Sequence, residues 1–257
     1  MNRGVTTVAA VCATAMLAAT ACGARQEPTV PLTVYATSAL IKTFTTIGKK
    51  FEANNPGYSV QFVFSGSSDL SAALAEGADA DVFASADPAD MSVVSDAGAT
   101  VGEPVPFAAN QLVVVTAPGN PKKLTTLADL GAPGLRVALC NTQSPCGSAT
   151  ELLERSNGLQ LQPEGSSSTA RHVLGEVTAG RADAGVVFMT DALGAGDKAS
   201  WFPLSGDSAA LTAWIAVVKG TSQTHAAEEF VKEVTGAEGG QILADDGFSQ
   251  PPKKTSG

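Results

Sequence analysis

Histidine, tryptophan and tyrosine each occur only twice in the 257 residues, and aromatic side chains make up 5% of the chain. The two histidines, His172 and His225, lie far apart in sequence, and only four cysteines accompany them. No zinc-ligand spacing results. No basic block is present. Lysine plus arginine is 16 against 25 aspartate plus glutamate, a formal net charge of −9. A nucleic-acid binder would carry a basic stripe or patch, so that class is excluded. No apolar run is long enough to span a bilayer comfortably. Neither a Gly-x-Ser-x-Gly nucleophile elbow nor a Gly-rich phosphate loop occurs. No internal repeat breaks the chain into small units. What remains is an acidic chain of ordinary apolar content, 44%. It is long enough for one large or two modest α/β domains with packed cores. Such a chain can still bind an anion, but only through local dipoles that act against its own field.

The first residues read as an export signal. Arg3 supplies the positive end, Val8 to Leu17 form a short run of apolar and small residues, and Ala19-Thr20-Ala21-Cys22 follows. Small residues immediately before a cysteine resemble a bacterial lipobox, in which that cysteine is acylated and becomes the new N-terminus. Leu17 sits further from Cys22 than that pattern prefers. The alternative is a plain cleaved signal with a fortuitous cysteine. The expectation is a signal peptide over residues 1–22, lipidation at Cys22, and a polar tether over residues 23–30. The protein would then be exported and anchored at the outer face of the cell membrane. Cys12 lies inside the signal, so Cys140 and Cys146 are the thiols of the mature fold. An oxidising compartment favours a local disulfide between them. Closing so small a loop is worth roughly 2 kcal/mol by chain entropy.

Beyond the tether, strand and helix patterns alternate. Leu32 to Ala36 is β-rich, and Leu40, Phe44, Ile47 and Phe51 recur at helical spacing until Asn55-Pro56-Gly57. Ser59 to Phe64 alternates as a strand. Leu70 to Leu74 reads as a short helix ended by Gly77. Asp81 to Ala84 is a third strand, with a helix through Met91 and Val94 after it. This is the rhythm of a parallel sheet covered by helices. Leu112 to Val115 fits a strand buried on both faces. Strands are expected at Leu135 to Leu139, Gly185 to Phe188 and Leu211 to Val218. Helices are expected from Ala149, from Ala170 and over Ala226 to Val234.

Three hydroxyl- or glycine-rich segments sit between an expected strand and an expected helix: Ala36-Thr37-Ser38-Ala39, Ser65-Gly66-Ser67-Ser68 and Pro145-Cys146-Gly147-Ser148. Ser168-Thr169-Ala170 opens a further helix. Each junction presents free N–H groups at the positive end of a helix dipole, which suits an anion. Serine and threonine are also plain N-caps, the better reading of any one junction alone. Several such junctions at the C-terminal edge of an open α/β sheet favour a ligand site, because that edge is where ligands bind.

The segments Leu32 to Leu40, Phe64 to Leu70, Ala80 to Asp87 and Gly180 to Phe188, in this order, resemble the molybdate-binding periplasmic proteins of ABC importers. The resemblance covers Leu32 to about Gly247. It implies an α/β two-lobe periplasmic binding fold, type II-like, each lobe a mostly parallel sheet flanked by helices, with the ligand in the interlobe cleft. Residues 31–110 and 213–257 would form the first lobe and 111–212 the second, with hinge closure over the ligand. It implies Ser67 as a ligand hydroxyl. The family's first-loop serine aligns with Ala39, so Ser38 is the implied hydroxyl donor and Ala39 a backbone donor. Cys146 and Ala170 fall where small residues give backbone N–H groups. A bridge from Cys140 would stiffen the Cys146 loop. Phe188 falls where the family often has a tyrosine whose hydroxyl bonds the anion, and phenylalanine carries no such donor.

On this reading the protein is a monomeric solute-binding protein. It captures molybdate, and tungstate with it, through the anion's oxygens with no direct ligand to the metal and no cofactor, and delivers it to ABC permease subunits. A donor-only pocket suits an anion that is fully deprotonated near neutral pH. Sulfate or phosphate is the alternative within the same fold. Asp69 could accept a proton from hydrogen phosphate, but an acidic residue in a helix's first turn is already favoured by the dipole. Arg171 reads as a solvated helix-face residue that adds to the local field. An alternative of another class is a thiol hydrolase using Cys146 with His172, and a further one is a purely structural surface lipoprotein. A disulfide at Cys146 would weaken the hydrolase reading.

Overall fold

A computed structural model describes residues 29–163, 165–167, 169–204 and 210–252. The signal segment, Cys12, Cys22, most of the tether and Ser168 lie outside the described residues. Strands β1 (Val30–Thr37), β2 (Tyr58–Ser65) and β3 (Val82–Ser85) alternate with helices α1 (Ile41–Asn54), α2 (Ser67–Ala75) and α3 (Pro88–Asp96). A long strand β4 (Thr100–Thr116) leads to β5 (Val137–Cys140), α4 (Pro145–Ser156), β6 (Gly165–Ser167), α5 (Ala170–Thr178) and β7 (Ala184–Phe188). Then come α6 (Met189–Gly194), β8 (Ser200–Pro203), β9 (Ala210–Val218), α7 (Thr224–Thr235) and α8 (Ala237–Asp245).

The strands follow the order β2-β1-β3-β9-β4-β7-β5-β6, with β8 also paired to β4. β1 is parallel to both β2 and β3, and β5 is parallel to both β6 and β7. β9 runs antiparallel to β3 and β4, and β4 runs antiparallel to β7 and β8. Each half of the sheet is therefore mostly parallel, with one reversed strand. β4 belongs to both halves. It pairs with β9 from Thr100 to Gln111 and with β7 from Leu112 onward. The C-terminal segment clamps β4 near this change of partner, since Ala109 and Ser249 exchange backbone hydrogen bonds of 2.8 Å.

Side-chain alternation along the strands separates the layers. Leu32, Val34 and Ala36 of β1, Val82 and Ala84 of β3, and Ala213, Ile215 and Val217 of β9 pack against Phe44, Ile47 and Phe51 of α1 and Phe230 of α7. The intervening residues Phe83, Ala216 and Val218 face the other way, onto Leu70 and Leu74 of α2 and Met91 and Val94 of α3. A separate core joins Leu112 to Val115 with β5, β7, α4 and α5. Both ends of the first half are tied together. Thr43 Oγ1 donates to Asp246 Oδ2 at 2.8 Å, and Lys42 forms an ion pair with the same carboxylate.

Most expected boundaries shift by a few residues, and two differ more. The helix expected from Ala149 begins at Pro145, because Ser144 caps it and Pro145 is preset for a first helical position. The strand expected at Leu112 begins at Thr100. Gly102, Pro104 and Pro106 hide its first half, and the register there is bulged between Val101 and Val105 and between Pro106 and Ala108. No helix among the described residues is long and apolar enough to cross a membrane.

Candidate functional site

The C-terminal ends of β1, β2, β5 and β7 converge on one cavity of about 460 Å³ where the two halves of the sheet meet. Ser38, Ala39, Ser67, Cys146, Ala170 and Phe188 all line it. They come from segments spread over most of the chain, and the crossing of β4 and β9 brings them together.

Each segment arrives by the same local device. α2 starts at Ser67 from a Gly66 N-cap that has no side chain to offer its first N–H groups. α4 starts at Pro145, and the Ser144 hydroxyl accepts from Gly147 N at 3.3 Å. α5 starts at Ala170, and the Thr169 hydroxyl accepts from His172 N at 3.2 Å. Neither cap covers the N–H of Cys146 or Ala170. The first N–H groups of a helix have no intrahelical acceptor, so these point outward with the positive end of the dipole.

The serines differ. The Ser38 hydroxyl donates to Ser65 O at 3.1 Å, which ties the first loop to the second. The Ser67 hydroxyl is buried in a residue 4% exposed and has no protein partner. An unpaired buried hydroxyl costs about 1–3 kcal/mol. It lines this cavity, where an acceptor could satisfy it. Asp69 stands back from the cavity wall and accepts from the Ser65 hydroxyl at 3.3 Å, as a first-turn acid does. Cys146 is bridged to Cys140 across a Cα–Cα separation of 5.9 Å. The bridge fixes the end of β5 to the first turn of α4, and the sulfur is not a free nucleophile. This removes the thiol hydrolase reading.

Two further wall residues escaped the sequence reading. Asn110, at the partner change in β4, lines the cavity and is 5% exposed. Two adjacent amides, Asn110 and Gln111, interrupt the apolar stretch Phe107 to Val115, and they were the available signal. Asp191 follows Phe188 into the first turn of α6, where the junction logic applied elsewhere would have found it. Burial pushes its carboxyl above the ordinary range, and nearby Arg171 opposes the shift. A wider cavity of about 650 Å³ shares Ser38, Ala39, Ile41, Arg171 and Asp191 and opens between α1 and α6. Among the described residues no cluster of histidine, cysteine or carboxylate could hold a metal ion.

Comparison with known proteins agrees with this geometry. The bacterial extracellular solute-binding protein family matches residues 32–249. The molybdate-binding protein ModA of Mycobacterium tuberculosis (strain ATCC 25618 / H37Rv) is 43% identical over 242 residues, covering 90% of this chain and 92% of that protein. The periplasmic molybdate-binding protein of Azotobacter vinelandii superposes with a TM-score of 0.71 at 21% identity, covering 86% of this chain and 100% of that one. The substrate binding domain of a putative molybdenum ABC transporter from Clostridium difficile gives 0.75 at 21% identity, over 87% and 100%. These two likenesses concern the fold. Together with the family match and the mycobacterial relative, they establish that this chain belongs to the bacterial extracellular solute-binding proteins.

Proposed function

We propose that this protein captures molybdate, and tungstate with it, in the cavity between its two halves and delivers it to an ABC permease. The observation that carries the reading is the buried, partnerless Ser67 hydroxyl on a wall where several helix N-termini converge. The anion is held through its oxygens. The Ser67 hydroxyl and the N–H groups of Ala39, Cys146 and Ala170 donate, with Ser38 bracing the first loop. Charge-assisted bonds of this kind are worth about 1.5–3 kcal/mol each, and a handful of them, less the costs of closure, reaches micromolar to nanomolar affinity. Choice of molybdate over sulfate is supported by the 43% identical relative, whose name specifies molybdate. Residues 31–110 with 213–257, and 111–212, act as two lobes that close about the β4 and β9 crossing, as separate cores on either side of it suggest. The protein acts as an exported monomer anchored through an acylated Cys22.

Calorimetric titration with molybdate, tungstate, sulfate and phosphate tests the proposal. Molybdate and tungstate are expected to bind most tightly. Ser67→Ala should weaken molybdate by about 1.5–3 kcal/mol, and Ser38→Ala by less, because the Ser38 proton is already given to Ser65. Tighter binding of sulfate, or unchanged affinity in Ser67→Ala, would refute this assignment.

One observation favours a second reading. Asp191 puts an acceptor on the cavity wall, which a hydrogen phosphate could use and a fully deprotonated anion could not.

A further inference from the structure

The wall at Phe188 has an aromatic ring and no donor, so the anion's oxygen on that side must be met by another group. We infer that the side-chain amide of Asn110 supplies that donor and sets the specificity of this wall. The inference rests on the oxyanion reading above and goes beyond it, to a residue outside the helix N-termini.

Three observations converge on Asn110. It lines the cavity from β4, at the last positions before that strand changes partner. Leu112 lies opposite Phe188 in the antiparallel register. Asn110 and Leu112 share a face of β4, so Asn110 stands diagonally beside Phe188 on the same face. Finally, the amide is half satisfied. Nδ2 lies 2.9 Å from Thr190 Oγ1, while Oδ1 is buried without a partner.

The proton count decides which end faces the ligand. A threonine hydroxyl both donates and accepts, whereas an amide has a donor end and an acceptor end of nearly the same shape. With Nδ2 on Thr190, a buried carbonyl oxygen is left unpaired and would confront an anion. Turning the amide end for end keeps the same contact. The Thr190 hydroxyl then donates to Oδ1, and the NH2 group is free to donate to the anion. Only this orientation leaves the Asn110 amide without an unpaired acceptor. Thr190 is thus a positioning residue, and Asn110 is the one that touches the ligand. Because Asn110 sits at the crossing and Thr190 opens α6 in the second half, the contact also ties ligand capture to the hinge.

The test is titration of the full mature chain with molybdate, each variant's ligand-free melting temperature serving as the control for folding. Asn110→Ala should weaken binding by about tenfold or more, the loss of one donor to a charged group. Asn110→Asp keeps the size and the acceptor for Thr190 but replaces the donor with a negative charge. It should bind at least as weakly as Asn110→Ala, its ligand-free melting temperature recording what the buried carboxylate costs. Thr190→Val should weaken binding by a smaller factor. Adding Phe188→Tyr to Asn110→Ala should recover much of the loss, because a phenol then supplies the donor. Wild-type affinity in Asn110→Asp overturns the inference, as does wild-type affinity in Asn110→Ala. If Asn110→Ala does not fold, Asn110→Asp decides alone, and wild-type affinity there overturns it. A wild-type protein that binds none of the four anions removes the functional reading and this inference with it. A wild type that binds while the Asn110 variants bind equally removes only the inference.

Discussion

Asp191 is the acidic side chain among the residues lining the candidate cavity, and its sign makes it diagnostic. Burial raises its pKa, and Arg171 offsets part of that shift. A carboxyl with a raised folded-state pKa favours the folded protein at low pH, and that contribution is lost as pH rises through the raised value. The same titration acts on the ligand. Where Asp191 is ionised it repels a fully deprotonated oxyanion, and where it is protonated the repulsion is gone. Asp191→Asn should therefore tighten molybdate at neutral pH by about 1 kcal/mol, roughly fivefold. It should also abolish the Asp191 part of the gain in affinity that the wild type shows on mild acidification. Hydrogen phosphate would behave oppositely, because Asp191 would accept its proton and the variant would lose that bond. Titrations across pH with each anion separate the two, and weaker molybdate binding by Asp191→Asn would contradict the assignment.

The β5 to α4 junction shows how an element is made to present one N–H group. Pro145 starts the helix, Ser144 caps it, and the Cys140–Cys146 bridge holds the loop from both ends. Gly147 completes the device. A Cβ there would lie 1.7 Å from Asn141 O and 2.4 Å from Asn141 C, both backbone atoms that cannot rotate away. Only glycine lets the first turn of α4 sit this close to the chain leaving β5. Gly147→Ala should thus displace the loop, lower stability by about 1–3 kcal/mol and weaken molybdate binding. Gly175 in α5 is the control. Nothing lies within 4 Å of its Cβ position, so Gly175→Ala should be neutral or stabilising by up to about 1 kcal/mol. Equal effects of the two substitutions in thermal melts would mean that helix propensity, and not the close approach, governs the junction.

At the scale of the whole molecule, two cores share one strand pair. The core around Phe44 and Phe230 and the core around Val113 and Val186 lie on either side of the region where β4 and β9 pair. A ligand contacted from both sides, by Ser67 on one and Cys146 and Ala170 on the other as proposed, would stabilise a closed arrangement by its differential affinity for it. The proposed anchor belongs to this scale too. A binding protein tethered beside its permease would stay at a high local concentration. Intact-mass measurement of native protein should find a chain beginning at Cys22 with a diacyl or triacyl adduct. A soluble mature form cleaved elsewhere would exclude the anchor.

The alternation of strands and helices was legible in the sequence because its causes are local: period-two burial in β1, 3.6-residue spacing in α1, and caps at the junctions. The junctions also exposed the N–H groups of the candidate site, since a cap and a dipole are properties of a few consecutive residues. Of the elements that were missed, which include β6, α6 and β8, two have nonlocal causes. The first half of β4 carries glycine and prolines and is held by β9, and α8 contains Gly239 and Gly240 and is fixed through Asp246 to Thr43. Only the tertiary structure decided that Ser67 is buried without a partner while Ser38 is already engaged, and that Asn110 and Asp191 share their wall. Hydrogen-bond satisfaction and desolvation depend on what the rest of the chain brings within a few ångströms, and no window of sequence contains that.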